Sequence, residues 1–196
     1  IAALVAGAKF LAADDPLLTV LPYNQAGALA NVLLNLTVLT GLVGGGLYLA
    51  AQQRISTMAL RLAGLVWTAL LILSVLAGLF GLLGGRNLME LPLVLNAVLA
   101  VGLLLVLAAV VPSIRAPMIQ LWTLGLVLVL VSILIGLLPA GDYIQERGLR
   151  ALAVGLQMNI AYPLMALALG YWLMHRFSDL TPAWLEHDIY IAAGLV

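Results

Sequence analysis

Few side chains in this sequence are suited to bind a metal ion or a haem iron. The chain has two histidines, His175 and His187, and it has no cysteine. Disulfides, thiolate metal ligands, iron–sulfur clusters and covalently attached haem are therefore excluded. A haem held by two histidines needs them on facing helices at matching depth, but both residues fall in or beside one polar linker. We predict that the chain itself binds no metal and no haem.

A group of polar side chains near Pro163 is a second place where chemistry could occur. Gln157, Asn159 and Tyr162 precede this proline in an otherwise apolar stretch. A proline inside a helix leaves the carbonyl one turn back without its usual donor, so a polar cluster here could hold water or a quinone headgroup. The more frequent role of such side chains is hydrogen bonding to a neighbouring helix, worth about 0.6–2 kcal/mol in a membrane. We favour that role and keep the three residues as candidate ligand-binding residues.

Three asparagines are predicted to serve helix packing. Asn31 and Asn35 are four residues apart, which places them on one face of a helix. Asn96 stands in a later apolar run. An amide in lipid costs free energy unless it finds a partner, so we expect all three to contact neighbouring helices. Ser74 and Ser132 lie mid-helix with no basic residue at the same depth, and we expect them to bond back to a carbonyl one turn earlier.

The composition indicates a protein that lies in lipid. The chain is 65% hydrophobic and 8% charged, with a mean hydropathy of +1.20, whereas a typical soluble domain is about half apolar and about a quarter charged. All eight basic and all eight acidic residues fall at or near the end of a predicted helix. Proton relays, ion-coupled transporters and voltage sensors need ionisable groups inside the bundle. This placement excludes a voltage-sensing helix and argues against a carboxylate proton relay.

Five stretches are long and apolar enough to cross a membrane as helices. The short linkers between them imply antiparallel neighbours in one bundle. We therefore predict an all-α fold, a polytopic transmembrane helix bundle with five full spans and partial first and last helices. Residues 1–196 are expected to form a single domain and to be part of a longer chain. The predicted spans are Gln25–Ala51, Met58–Leu83, Leu91–Val111, Pro117–Leu138 and Leu149–Met174, and the partial helices are Ile1–Ala12 and Leu185–Val196.

The order of these features resembles the large, haem-bearing subunit of haem–copper oxidases, especially the C-family oxidases and nitric oxide reductases. Residues 15–54, from DPLLTVLPYNQAG to LYLAAQQR, resemble that family's second helix, and residues 86–99, RNLMELPLVLNAVL, resemble the entry to its fourth. Residues 151–177, which include GLQMNIAYP, resemble its sixth helix. The resemblance implies a haem-ligating histidine at Leu29 and a copper-ligating histidine at Met158, and this sequence has neither. It therefore implies a haem-less, degenerate relative of that subunit.

From this resemblance we predict a non-catalytic integral membrane subunit of a respiratory or photosynthetic electron-transfer complex, in a bacterial inner membrane. Such a subunit would scaffold redox partners that carry the haems, and it would not be an enzyme by itself. Its partners would be other membrane subunits and lipid, with no nucleic acid and no cofactor of its own. Two alternatives stay open. One is a quinone-binding or redox-active oxidase-like subunit that uses Gln157, Asn159 and Tyr162, and the other is a small-solute membrane transporter.

Overall fold

The described part of the chain is built from α-helices. The computed structural model describes residues 23–51, 56–80, 82, 91–115, 117–139 and 141–177, and within these residues there is no strand. A short 3₁₀ turn, Val111–Ser113, follows the third helix, and a π turn, Gln157–Ala161, joins the last two. The helices are α1 Tyr23–Ala51, α2 Thr57–Leu79, α3 Leu93–Val110, α4 Pro117–Gly136, α5 Tyr143–Leu156 and α6 Tyr162–Phe177.

Among the described residues, five helical segments are long and apolar enough to cross a membrane, which confirms the all-α transmembrane fold. The fifth segment is continuous over Tyr143–Phe177, because the π turn keeps α5 and α6 in one run. The chain is therefore a helical integral membrane protein. The two predicted partial helices, Ile1–Ala12 and Leu185–Val196, lie outside the described residues.

The fifth segment begins six residues before its predicted start at Leu149. Asp142 caps the helix, since its carboxylate accepts a hydrogen bond of 2.7 Å from the Gln145 backbone N–H. Glu146 and Arg150 form an ion pair one turn apart in the same segment. The cap and the ion pair stabilise a helix whose first residues are polar. The predicted start at Leu149 was wrong because the prediction treated this charged stretch as a linker.

The described residues belong to two compact units, and the boundaries between the units fall inside α1, α2 and α3. Unit 1 comprises residues 1–38 and 65–99. Within it, α1 and α2 approach closely where Gly78 faces Leu29: a Cβ built on Gly78 would lie 3.0 Å from Leu29 Cγ. Small residues allow this kind of close approach between membrane helices. The prediction of a single domain stays a prediction.

Unit 2 comprises residues 39–64 and 100–196, and α4 is its best-buried helix. Helix α4 packs against α5, the π turn and α6. Trp122 of α4 is fully buried, and its indole N–H donates a hydrogen bond of 2.9 Å to the Leu42 carbonyl of α1. The indole occupies the space above Gly46, where any Cβ would overlap it. Unit 2 positions all the polar side chains near Pro163.

Candidate functional site: a buried polar network at a π turn

The π turn widens the helix immediately before Pro163. The backbone N–H of Tyr162 donates to the carbonyl of Gln157, five residues earlier, instead of four. Pro163 has no N–H to offer the carbonyl one turn back, and its ring would clash with that carbonyl in a regular helix. A single π turn relieves this conflict by inserting one extra residue into the turn. The turn is therefore a local consequence of the proline.

Three polar side chains meet inside unit 2 at this turn. The side-chain amide of Gln157 is hydrogen-bonded to the Tyr162 hydroxyl. On its other side, Gln157 Oε1 lies 3.1 Å from the hydroxyl oxygen of Ser132 on α4. Gln157 and Ser132 are almost completely buried, and Tyr162 is 6% exposed. We call Ser132, Gln157 and Tyr162 the buried network.

Counting protons indicates how the buried network is ordered. The Ser132 hydroxyl has one proton, yet it lies within hydrogen-bond distance of both Gln157 Oε1 and the Val129 carbonyl, the latter at 2.6 Å. The two ends of an amide are assigned from the surrounding hydrogen bonds. With the Gln157 amide turned over, Tyr162 donates to Gln157, Gln157 donates to Ser132, and Ser132 donates to Val129. Each of these three hydrogen bonds then has its own donor proton, which is the arrangement that burial in a low-dielectric environment favours.

Helix α4 lies very close to the π turn at Gly125. A Cβ on Gly125 would stand 2.8 Å from the Ala161 carbonyl oxygen and 3.3 Å from the Met165 backbone nitrogen. Because these neighbours are backbone atoms, they cannot rotate away. The glycine therefore sets the distance at which Ser132, two turns further along α4, reaches Gln157.

Asn159 is not part of the buried network. It lies within the π turn, but it is exposed. The three candidate residues near Pro163 therefore separate: Gln157 and Tyr162 meet inside unit 2, whereas Asn159 faces outward.

The other polar residues named from the sequence lie in unit 1. Asn35 is buried and has an interaction partner, while Asn31 is half-buried. Asn96 donates a hydrogen bond of 3.1 Å to the Leu91 carbonyl just before its own helix, so this bond is local. Ser74 bonds back to the Leu70 carbonyl at 2.7 Å, as expected for a mid-helix serine.

Aromatic and basic side chains meet at the end of α6. The rings of Tyr48 and Trp172 pack edge to face with centroids 5.6 Å apart, and the Arg176 guanidinium lies 5.8 Å from the Trp172 ring centroid. Nδ1 of His175 is buried without a hydrogen bond to any described residue. The described part of the chain contains no group of three or more metal-ligating side chains, and His187 lies outside it.

The residues at the expected metal-ligand positions do not fit a haem or a copper ion. Leu29 is 5% exposed and packs onto Gly78, so an aliphatic side chain fills the contact between α1 and α2 at this point. Met158 lies in the π turn beside the buried network. No protein-family model matches the chain, and no curated protein matches its sequence.

Sequence reasoning missed two contributions to this site. Ser132 was expected only to bond back along its own helix, and it does so, but it also reaches Gln157, 25 positions away. Trp122 was not singled out, although its bond to Leu42 ties α4 to α1. A tryptophan inside an apolar run is the available signal, because a buried indole N–H usually finds an acceptor.

Proposed function

We propose that this chain is a non-catalytic membrane subunit that packs against and supports the redox subunits of an electron-transfer complex. The observation that carries this proposal is that the polar side chains at the π turn hydrogen-bond to each other, as side chains that serve helix packing do. Intramembrane ionisable residues mark ion and proton pathways. In the described residues, every charged side chain belongs to a loop or lies within about two turns of the end of a membrane-spanning segment.

The Leu29 contact supports the same proposal. In the family that the sequence resembles, this position would face a haem. Here Leu29 and Gly78 bring two helices into direct contact. A chain of this kind contributes helix packing but holds no redox centre. Its partners would therefore carry the haems. The proposed location is a bacterial inner membrane.

Purification from the native membrane tests this function. We expect the tagged chain to co-purify in mild detergent, in fixed stoichiometry, with subunits that carry redox centres. We expect the isolated chain to show no haem Soret band. Purification without redox subunits, or a Soret band from the chain alone, would contradict the proposal.

A quinone-binding subunit is the second candidate, and the π turn favours it because such turns occur frequently at functional sites. It predicts that Tyr162→Phe abolishes quinone turnover by the assembled complex while assembly stays intact. Ser74→Ala is the matched control, since it also removes a buried hydroxyl from a helix but lies in unit 1. Unchanged turnover in the Tyr162→Phe complex would exclude this candidate.

A further inference from the structure

Two aromatic side chains and one arginine form a cluster at the end of the fifth membrane-spanning segment. The Arg176 guanidinium lies 5.8 Å from the centroid of the Trp172 ring, and the Tyr48 ring of α1 packs edge to face on Trp172. Tyr48 and Arg176 are exposed, and Trp172 is half-buried. We call Tyr48, Trp172 and Arg176 the aromatic–arginine cluster. All three residues belong to unit 2.

The cluster lies at the depth of the lipid headgroups. Arg176 stands in the last turn of the segment 143–177, directly after the largely apolar residues 163–174. Its guanidinium folds back over a ring one turn earlier on the same helix, towards the membrane. The residues between them include Leu173 and Met174, which are exposed and apolar, as lipid-facing residues are. Tryptophan and tyrosine are enriched at this level of a membrane.

The Arg176 guanidinium needs hydrogen-bond acceptors that the cluster does not supply. A guanidinium carries five N–H donors, and an aromatic ring attracts its charge without replacing an oxygen acceptor. Among the described residues, the acidic side chains are Asp142 and Glu146, at the start of the same segment. At 1.5 Å per residue, they lie about 45 Å or more from Arg176 along the helix. No carboxylate in the described part of the chain therefore pairs with this arginine.

The end of unit 2 that carries the cluster is basic. The aromatic contact places the end of α1 beside the end of α6, and the Ser56 N–H donates a bond of 3.1 Å to the Ala109 carbonyl, which places the start of α2 beside the end of α3. Arg61 lies near the start of α2, Arg115 follows the end of α3, and both are exposed. With Arg176, the described residues give this end three cations and no carboxylate. Such a surface complements anionic lipid headgroups.

We propose that the aromatic–arginine cluster binds the phosphate of an anionic phospholipid. The planar guanidinium of Arg176 donates two parallel N–H bonds to two oxygens of the phosphodiester. The Trp172 ring holds the guanidinium against the helix, and Tyr48 fixes the orientation of that ring. Arg61 and Arg115 raise the local concentration of anionic lipid at the same end of unit 2.

Native mass spectrometry of the full chain in mild detergent tests the site. We expect phosphatidylglycerol to bind about tenfold more tightly than phosphatidylcholine, and Arg176→Gln to remove about tenfold of that affinity, as the loss of a charge-assisted hydrogen bond does. Trp172→Leu keeps the charge and should weaken binding about threefold, because the cation–π contact is lost. Arg147→Gln is the matched control: it removes the same charge at the other end of the same segment and should leave the affinity unchanged.

Two further arms distinguish other occupants of the site. Inorganic phosphate in large excess should not displace phosphatidylglycerol, and displacement would overturn the assignment to a lipid. Asp179 lies three positions after Arg176 in the sequence. Asp179→Asn should leave the phosphatidylglycerol affinity unchanged, whereas a rise of about tenfold would show that this carboxylate already neutralises the guanidinium, and would overturn the proposal.

The lipid content of the chain purified from its native membrane completes the test. The unmodified chain should retain an anionic phospholipid, and Arg176→Gln should lose it. Equal retention by the two forms, equal affinity for the two lipids, or equal losses in Arg176→Gln and Arg147→Gln would overturn the proposal. Because the binding assay uses the purified chain alone, its result is independent of the co-purification test above.

Discussion

The buried network makes a quantitative prediction for the variant Gln157→Leu. This change keeps most of the side-chain volume and removes the amide. Ser132 retains its bond to the Val129 carbonyl, so the main loss is the hydrogen bond between Gln157 and the Tyr162 hydroxyl. Removing one partner of a buried hydrogen bond costs about 1–3 kcal/mol, and interhelical bonds in membranes are worth up to about 1.7 kcal/mol. We expect the free energy of unfolding to fall by about 2 kcal/mol.

A double-mutant cycle separates the hydrogen bond from the packing. Tyr162→Phe removes the same bond from its other side and should cost about 1 kcal/mol. Both single variants lose the Gln157–Tyr162 bond. The loss of unfolding free energy in the double variant should therefore be about 1 kcal/mol smaller than the sum of the losses in the two single variants. Unfolding by sodium dodecyl sulfate in mixed micelles, followed by tryptophan fluorescence and circular dichroism, measures these differences. Additive costs would show that the two side chains do not interact, and would refute the buried network.

Two further variants test the helix contacts and the corrected helix start. Gly46→Ala should destabilise the protein by about 1–3 kcal/mol, because the Cβ of the new alanine would overlap the Trp122 indole. In the control Gly44→Ala, the new Cβ meets no atom within 4 Å, so the free energy of unfolding should change by less than about 0.5 kcal/mol. Equal effects of the two variants in the same unfolding assay would contradict the close contact. Asp142→Ala should lower the free energy of unfolding by about 1 kcal/mol, because it removes the hydrogen bond that caps the Gln145 N–H, and Asp142→Asn should retain most of the cap's stabilisation. Hydrogen exchange of the backbone amides in the first turn of α5 should be faster in Asp142→Ala than in the unmodified protein, and it should not be faster in Asp142→Asn.

Hydropathy predicted the five membrane segments because a bilayer imposes one strong requirement, about 20 apolar residues for each span. Pro117 also marked the start of α4 correctly, since its fixed backbone angle and missing N–H suit a first helical turn. The start of α5 was missed because Glu146 and Arg147 lower the local hydropathy just before Leu149. Capping by Asp142 and the pairing of Glu146 with Arg150 supply the stability that hydropathy does not measure.

The candidate site was predicted in part. The polar residues near Pro163 were visible in the sequence, but residues five apart in a regular α-helix point about 140° away from each other. Gln157 and Tyr162 meet only because the π turn brings them onto one side. The same turn leaves Asn159 facing outward. The long-range contact with Ser132 does not follow from local spacing, because it depends on how closely α4 approaches at Gly125.

The composition of the complex purified from the native membrane tests the central claim most directly. Affinity purification of the tagged chain in mild detergent, with quantitative mass spectrometry and a reduced-minus-oxidised spectrum, gives both subunits and cofactors. We predict redox subunits in fixed stoichiometry, haem absorbance from the complex, and none from the chain after the partners are removed. Haem absorbance that stays with the isolated chain, or a purified chain that has no redox partner, would contradict the claim.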